Sequence, residues 1–263
     1  MLQYAFAERA LAAAVIVALL CGLLGFFVIL RRLAFIGVGI SHSAIGGVAV
    51  GLLAGVDPAL SAAVFSIVVA LGMFWVARDR RLSEDAIIGV FLSGAMALGL
   101  LLVGMHHGYQ KDLFAYLFGS LLSVSAHDLW MLAALAVVIS MAIALSFREM
   151  LFIAFDDEVA RAYRRPVDLL DAMLMVVLAL TVVAGVRVVG VLLVEALLVV
   201  PAATAALWSL DFRRQVALSM LVGATSAATG LWLSFAYDLA AGASIVLVAI
   251  SLFMCSWLVR RGT

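Results

Sequence analysis

Nine apolar runs, each close to the ~20 residues that an α-helix needs to cross a bilayer, follow one another along this chain with few charges inside them. Backbone amides in hydrocarbon must find partners within their own segment, so a chain of this pattern folds as a bundle of transmembrane helices. The runs lie near residues 10–30, 34–54, 58–77, 86–105, 128–147, 168–186, 188–208, 215–236 and 242–259. With 67% hydrophobic and 12% charged residues, and a mean hydropathy of +1.27, a chain of 263 residues is far too apolar for a water-soluble domain. The expected fold is an all-α, polytopic transmembrane bundle of about nine spans, or eight if the 168–208 region folds differently, in a single domain over 1–263.

A formal net charge of zero hides a strong asymmetry. Arg31, Arg32, Arg78, Arg80, Arg81, Arg148, Arg161, Arg164, Arg165, Arg213, Arg214, Arg260 and Arg261 all fall in gaps on one side, which the positive-inside rule makes cytoplasmic. Of the basic residues, the opposite gaps Gly55 to Pro58, His106 to Ser125 and Tyr237 to Gly242 carry only Lys111. This orientation puts the N-terminus outside and the C-terminus in the cytoplasm. The first apolar run is longer than the core of a signal peptide and meets Arg31-Arg32 directly, so it stays as a helix. Met1 to Arg9 reads as an interfacial lead-in with Tyr4 and Phe6 at the headgroups. Leu113 to Val124 is too short to span and is expected to re-enter or to lie on the outer face. Asp57-Pro58 and Ser83-Glu84-Asp85 are helix-start signals. Cys21 and Cys255 sit inside apolar spans and read as packing residues.

Polar residues inside the spans carry the functional signal. Glu195 and Pro201 share the seventh run; the acid costs at least ~2.5 kcal/mol at bilayer depth, and Pro201 withdraws a donor from the carbonyl of Leu197, predicting a kink beside it. In the second run His42 shares a helical face with Val38, Gly39, Ile45, Gly46 and Ala49. Gly47, Gly51 and Gly55 form a row along which a neighbouring helix can come close. Blander roles exist for both ionisable groups: Glu195 as a paired or neutral lock on its helix, and His42 as a hydrogen-bonding group at a tight helix interface. Arg187, about two turns from Glu195, reads as a group that reaches the outer surface. His106-His107 form a possible outer reception point for a metal, although a solvated loop explains them as well. His127-Asp128 has an ordinary helix-start explanation.

One cytoplasmic gap differs from the rest. Arg148 to Val167 spans about twenty residues, and Asp156-Asp157-Glu158 followed by Ala160, Arg161, Arg164 and Arg165 has the acid-first, base-last polarity of a short helix. A soluble partner could grip it, or it could be an ordinary surface helix.

Several stretches together resemble the integral membrane permeases of zinc/manganese/iron ABC importers. They are Arg31-Arg32 with Ala34-Phe35-Ile36-Gly37, Ile40-Ser41-His42-Ser43-Ala44, Glu84-Asp85-Ala86-Ile87-Ile88-Gly89, Tyr116-Leu117-Phe118-Gly119-Ser120-Leu121-Leu122, Phe155-Asp156-Asp157-Glu158 with Ala160-Arg161, and Val188 to Val194 with Ala196-Leu197-Leu198 and Pro201 to Ala205. The resemblance implies a bacterial inner-membrane, multi-pass subunit that passes a divalent transition metal, with no permanently bound cofactor. It implies a cytoplasmic ATP-binding subunit, an extracytoplasmic metal-binding protein and a second permease copy as partners, in contact with lipid and not with nucleic acid. Asp156, Asp157, Glu158, Ala160 and Arg161 would then form the segment, within 148–167, that couples to the ATPase. Ser41, Gly46, Gly47, Gly51 and Pro201 would line or pack the pathway. The one lysine, Lys111, stands in no P-loop, so ATP hydrolysis belongs to a separate subunit and this chain is not itself the enzyme.

The sequence departs from the family pattern at Val38, where an acid usually precedes the histidine by four residues, and at Glu195, where a small or hydroxyl residue is usual. The expectation is that Glu195 replaces the lost carboxylate and joins His42 as ligands for a cation in transit. Arg164 also departs, standing where the coupling segment usually has glycine. A chelate or small organic cargo, and a stand-alone channel or secondary transporter, remain the alternative functions.

Overall fold

The computed structural model describes residues 5–78, 82–105, 121–208 and 211–262. Every regular element among them is helical: α1 (Ala5–Leu30), α2 (Ile36–Ala54), α3 (Pro58–Ala77), α4 (Glu84–Gly104), a 3-10 turn (Leu121–Ser123), α5 (Ala126–Phe155), α6 (Asp157–Ala162), α7 (Val167–Val189), α8 (Val191–Ala206), α9 (Phe212–Tyr237) and α10 (Ala241–Gly262). All nine apolar runs are therefore helices. Eight are long and apolar enough to cross a membrane, and α8 is a shorter apolar helix. Its 16 residues extend about 24 Å at 1.5 Å per residue. The run expected over 188–208 is trimmed because Gly190, with φ of 87°, turns the chain between α7 and α8.

Two boundaries move outward. No glycine or proline interrupts Ala126–Phe155, so α5 continues eight residues past the expected 147 and takes Arg148 and Glu149 into its last turns. The segment read as a twenty-residue loop is thus the end of α5, a short helix and a tight link. At the N-terminus the chain is already helical at Ala5, and Phe6 meets the Phe235 ring at 6.2 Å. The start signals act as read: Asp57 Oδ1 accepts from the amides of Ala59 (2.8 Å) and Leu60 (3.0 Å), and Ser83 Oγ accepts from Ala86 N at 3.3 Å. Of the segment 113–124, all but the 3-10 turn and Val124 lies outside the described residues.

The chain divides into two compact units. Unit 1 comprises residues up to Arg32, Phe118–Ser140 and Gly185–Thr263. Within it α8 packs against α1, α9 and α10. Small residues on α1 and α9 let these two helices close on α8 and on each other. Gly25 of α1 lies against the Leu198 carbonyl, Gly22 takes Met220 so closely that a Cβ would stand 2.9 Å from its Cα, and a Cβ on Gly223 would stand 2.9 Å from Ala18 O. Ser219 Oγ donates to Gly22 O at 2.8 Å across the same contact. Arg260 on α10 donates to Leu207 O at 2.6 Å, occupying a carbonyl that the end of α8 leaves without a helical partner.

Unit 2 comprises Leu33–Leu117 and Met141–Ala184, and here α2 packs against α3 and α4. A Cβ on Gly47 would stand 2.6 Å from Ala62 Cα, one on Gly51 2.8 Å from Ser61 Cβ, and one on Gly46 3.0 Å from Ala95 O. Ser61 Oγ donates to Gly47 O at 2.7 Å. The expected glycine row is real for its first two members. Gly55 instead faces open space and ends α2 in the left-handed region at φ 66°.

Candidate functional site

His42 and Glu195 are carried by α2 in unit 2 and by α8 in unit 1, each packed against several helices of its own unit. From Ile36 to Ala49 every α2 residue is buried except Val38 and His42, which are half-buried one helical turn apart on the same face. His42 Nδ1 lies 3.0 Å from Val38 O and 3.4 Å from Ser41 Oγ, and Ser41 Oγ itself donates to Val38 O at 3.1 Å. A carbonyl can only accept, so in the neutral ring Nδ1 carries the proton and Nε2 carries the lone pair. This orients the imidazole as a hydrogen-bonded second partner orients a metal-binding histidine. Ser41, fully buried, thus positions the ring.

On α8 the split is equally sharp. Val194, Leu197, Leu198, Pro201 and Ala202 are buried in unit 1, while Leu192, Glu195, Ala196 and Val199, a stripe at helical spacing, stay accessible to different degrees. The acid therefore occupies the face of α8 that the packing core does not use. Pro201 lies inside a continuous helix on a buried face, 3.6 Å from where Gly223 would carry a Cβ. The sequence placed Glu195 and Pro201 side by side; the helix separates their roles, with the proline in the packing and the carboxylate outside it. Arg187 pairs with Asp128 Oδ1 at 3.2 Å. Asp128 also caps α5 with Ser125, whose Oγ donates to Asp128 Oδ2 at 2.6 Å and accepts from Asp128 N at 3.1 Å.

His42 belongs to unit 2 and Glu195 to unit 1. No group of three or more His, Cys, Asp or Glu side chains is arranged to hold a metal among the described residues. His106 and His107 lie outside the described residues.

The charged segment is a built feature. Asp156 caps α6, accepting from Val159 N at 2.9 Å. Ala160 is fully buried and seats the helix. Arg161 donates to Asp168 Oδ1 at 2.7 Å, an interaction that raises the guanidinium pKa further above its ordinary value. Arg165 donates to Glu149 Oε1 at 2.9 Å. Tyr163 meets the edge of Phe152 with ring centroids 6.2 Å apart. The other side is open: Phe155, Val159 and Tyr163, four residues apart in turn, are 62%, 39% and 72% exposed, amid Glu158, Arg161 and Arg164, which are exposed too. Asp168 went unnoticed in the sequence because an acid in the first turn of a helix has an ordinary explanation. Its distinguishing signal, arginines at 78 and 161, appears only in three dimensions.

A multi-helix membrane bundle with one ionisable group on the half-buried face of each unit's central helix, and a fastened charged helix at one end, defines a membrane transport subunit. The chain belongs to the ABC 3 transport family, whose model matches residues 3–260. It is 39% identical over 260 residues to an uncharacterized membrane protein of Synechocystis, covering 99% of this chain and 92% of that one. It is 37% identical over 253 residues to the manganese transport system membrane protein MntC of Halalkalibacterium halodurans, covering 96% and 87%. Its fold matches the solved structure of PsaBC from Streptococcus pneumoniae in complex with Fab, with a TM-score of 0.86, 34% identity and coverage of 97% and 92%.

Proposed function

We propose that this chain is the membrane-spanning subunit of an ATP-driven importer of a divalent transition metal, with manganese as the first candidate cargo. The observation that carries this reading is the similarity along nearly the whole chain to relatives named as manganese transport proteins. In this reading the arginine-rich gaps face the cytoplasm, and a separate ATP-binding subunit docks on α6, gripping the apolar stripe of Phe155, Val159 and Tyr163. An extracytoplasmic metal-binding protein delivers the ion, and a second copy of the chain completes the permease. Hydrolysis is left to the partner, since the chain holds one lysine and no P-loop. The membrane is the bacterial inner membrane.

His42 and Glu195 are the side chains proposed to handle the ion. Manganese, iron(II) and zinc all accept imidazole and carboxylate, and a carrier must release what it binds, so a sparse ligand set suits transit. The test compares manganese, zinc and iron content in metal-limited cells lacking the gene and complemented with the native chain or with Glu195→Gln. One metal restored by the native chain, and at least tenfold less by an equally expressed Glu195→Gln, is the expected result. Equal restoration by both removes Glu195 from the pathway. No change in any metal overturns the metal reading and favours a chelate or organic cargo.

A further inference from the structure

We infer that Asp168 is the node through which movement of α6 reaches the helix that carries His42. This rests on the reading of α6 as the ATPase-docking helix and adds the path beyond it. The two oxygens of the Asp168 carboxylate are taken by two different arginines: Oδ1 accepts from Arg161 of α6 at 2.7 Å, and Oδ2 from Arg78, at the C-cap of α3, at 2.9 Å. One side chain at the start of α7 thus ties α6 to the end of α3.

From α3 the path continues without a gap in unit 2. The backbones of α3 and α2 meet at Gly47 and Gly51, where Ala62 and Ser61 leave no room for a side chain. Ser61 Oγ holds Gly47 O at 2.7 Å, and Ser43 Oγ of α2 donates to Ser66 Oγ of α3 at 3.2 Å. Helices this close move as one body, because a packed interface deforms in steps and not continuously. His42 stands on the same α2, one residue before the Ser43 attachment. The ion pairs are 41–45% exposed at the side chains, a setting where pairs contribute little to stability. Geometry is what such a fork supplies: two planar guanidiniums directed onto one carboxylate fix the relative position of their helices.

The fastening on the other side of α6 differs in kind. Arg165 and Glu149 join the link just after α6 to the end of α5, the helix that precedes α6 in sequence. Of these two fastenings, it is the Asp168 fork that reaches a helix distant in the chain, since Arg78 and Asp168 are 90 residues apart. It separates docking from transmission, since neither Asp168 nor Arg78 belongs to the exposed stripe that the ATPase is proposed to grip.

The experiment uses the full complex of this chain, its ATPase and its binding protein in proteoliposomes, measuring radiolabelled manganese taken up per ATP hydrolysed. Asp168→Asn is expected to leave complex assembly and ATP hydrolysis near native while the uptake-to-hydrolysis ratio falls roughly fivefold. Arg78→Gln, which leaves the Arg161 pair in place, is expected to lower the ratio by the same factor. Combining the two should add nothing further, because both cut one link. Asp168→Glu should recover most of the ratio. A role confined to stability would lower uptake and hydrolysis together and leave the ratio native, which overturns the inference. So would a native ratio in Arg78→Gln, should Asp168→Asn fail to assemble. A native complex that hydrolyses ATP and moves no manganese overturns the proposed function as well, whereas native transport with native coupling in the variants overturns this inference alone.

Discussion

In unit 1 the residues that let backbones meet sit on the neighbours of the central helix, whereas in unit 2 most of them sit on the central helix itself, with Gly99 of α4 facing Gly46. Gly22, Gly25 and Gly223 belong to α1 and α9, and they close on α8 and on each other while α8 keeps its bulky Leu193, Leu197 and Leu198. In unit 2 the glycines at 39, 46, 47 and 51 are all on α2, and the bulk comes from outside, from Met73, Phe65 and Ile88. Lipid chains are as apolar as leucine, so neither unit gains from burying apolar area as a soluble core would. Both depend on close backbone contact and dispersion, and they differ in which partner gives up its side chains. A helix that keeps large residues can hold a proline without losing its packing, since Pro201 fills space beside Gly223. A helix stripped to glycine has little of its own to pack and is held by its neighbours.

The sharpest way to break this comparison is Gly25→Ala. The new Cβ would land on the carbonyl of Leu198, a backbone atom of a helix enclosed by α1, α9 and α10. No flexible side chain is there to yield, so the loss is expected at about 3 kcal/mol. In practice it should appear as a large drop in folded yield and in the thermal midpoint of detergent-purified protein. Native stability would mean that α1 and α8 are free to separate, and that unit 1 is not organised around α8.

Gly47→Ala asks the same of unit 2. The obstacles are Ala62 Cα at 2.6 Å and Phe65 Cβ at 2.8 Å, and the expected loss is about 2 kcal/mol. It should be smaller than for Gly25, because α3 is partly exposed, with Leu60, Val64 and Val68 at 54–61% exposure, and can shift outward. If the order of the two losses reversed, the more enclosed central helix would be α2. Because the close contact at Gly47 lies on the path proposed from α6 to His42, the same variant should also weaken coupling, which Gly25→Ala has no route to do.

How much of this was readable in advance follows from the same difference. The helices were legible because hydrocarbon admits one backbone solution and ~20 residues of it leave a plain trace. The packing of unit 2 was half legible, since glycines four apart on one helix form a pattern within a single segment. Even so, Gly55 matched that pattern for another reason: it ends α2 at φ 66°, where a Cβ would meet no neighbour. The packing of unit 1 was not legible, because its glycines lie on two helices almost two hundred residues apart. Glu195 and Pro201 drew attention as neighbours in sequence, yet a helix placed them on different faces. Asp168 was hidden for a similar reason: a carboxylate that joins three helices looks, in one dimension, like an ordinary acid in a first turn.

The smallest expected effect concerns how α6 ends, and it turns on a residue that the sequence marked as out of place. Arg165 N donates to Ala160 O at 3.0 Å and Arg164 N to Arg161 O at 2.9 Å, the paired closure that puts the first of these two donors along the chain in the left-handed region. That residue is Arg164, with φ of 56°. Arginine there costs about 1 kcal/mol relative to a residue without a Cβ, and glycine gives back part of this through its greater freedom in the unfolded chain. Arg164→Gly is therefore expected to raise stability by roughly 0.5 kcal/mol, read as a small upward shift in thermal midpoint. The matching closure in unit 1, Asp238 at φ 54°, ends a helix of 26 residues, where one strained residue is a small fraction of the element. In α6, with six residues, the same strain is a large fraction, so Arg164→Gly should stiffen α6 while Asp238→Gly leaves α9 unchanged. If Arg164→Gly raises stability and weakens ATPase binding, the guanidinium is held in its strained place by what it contacts in the complex.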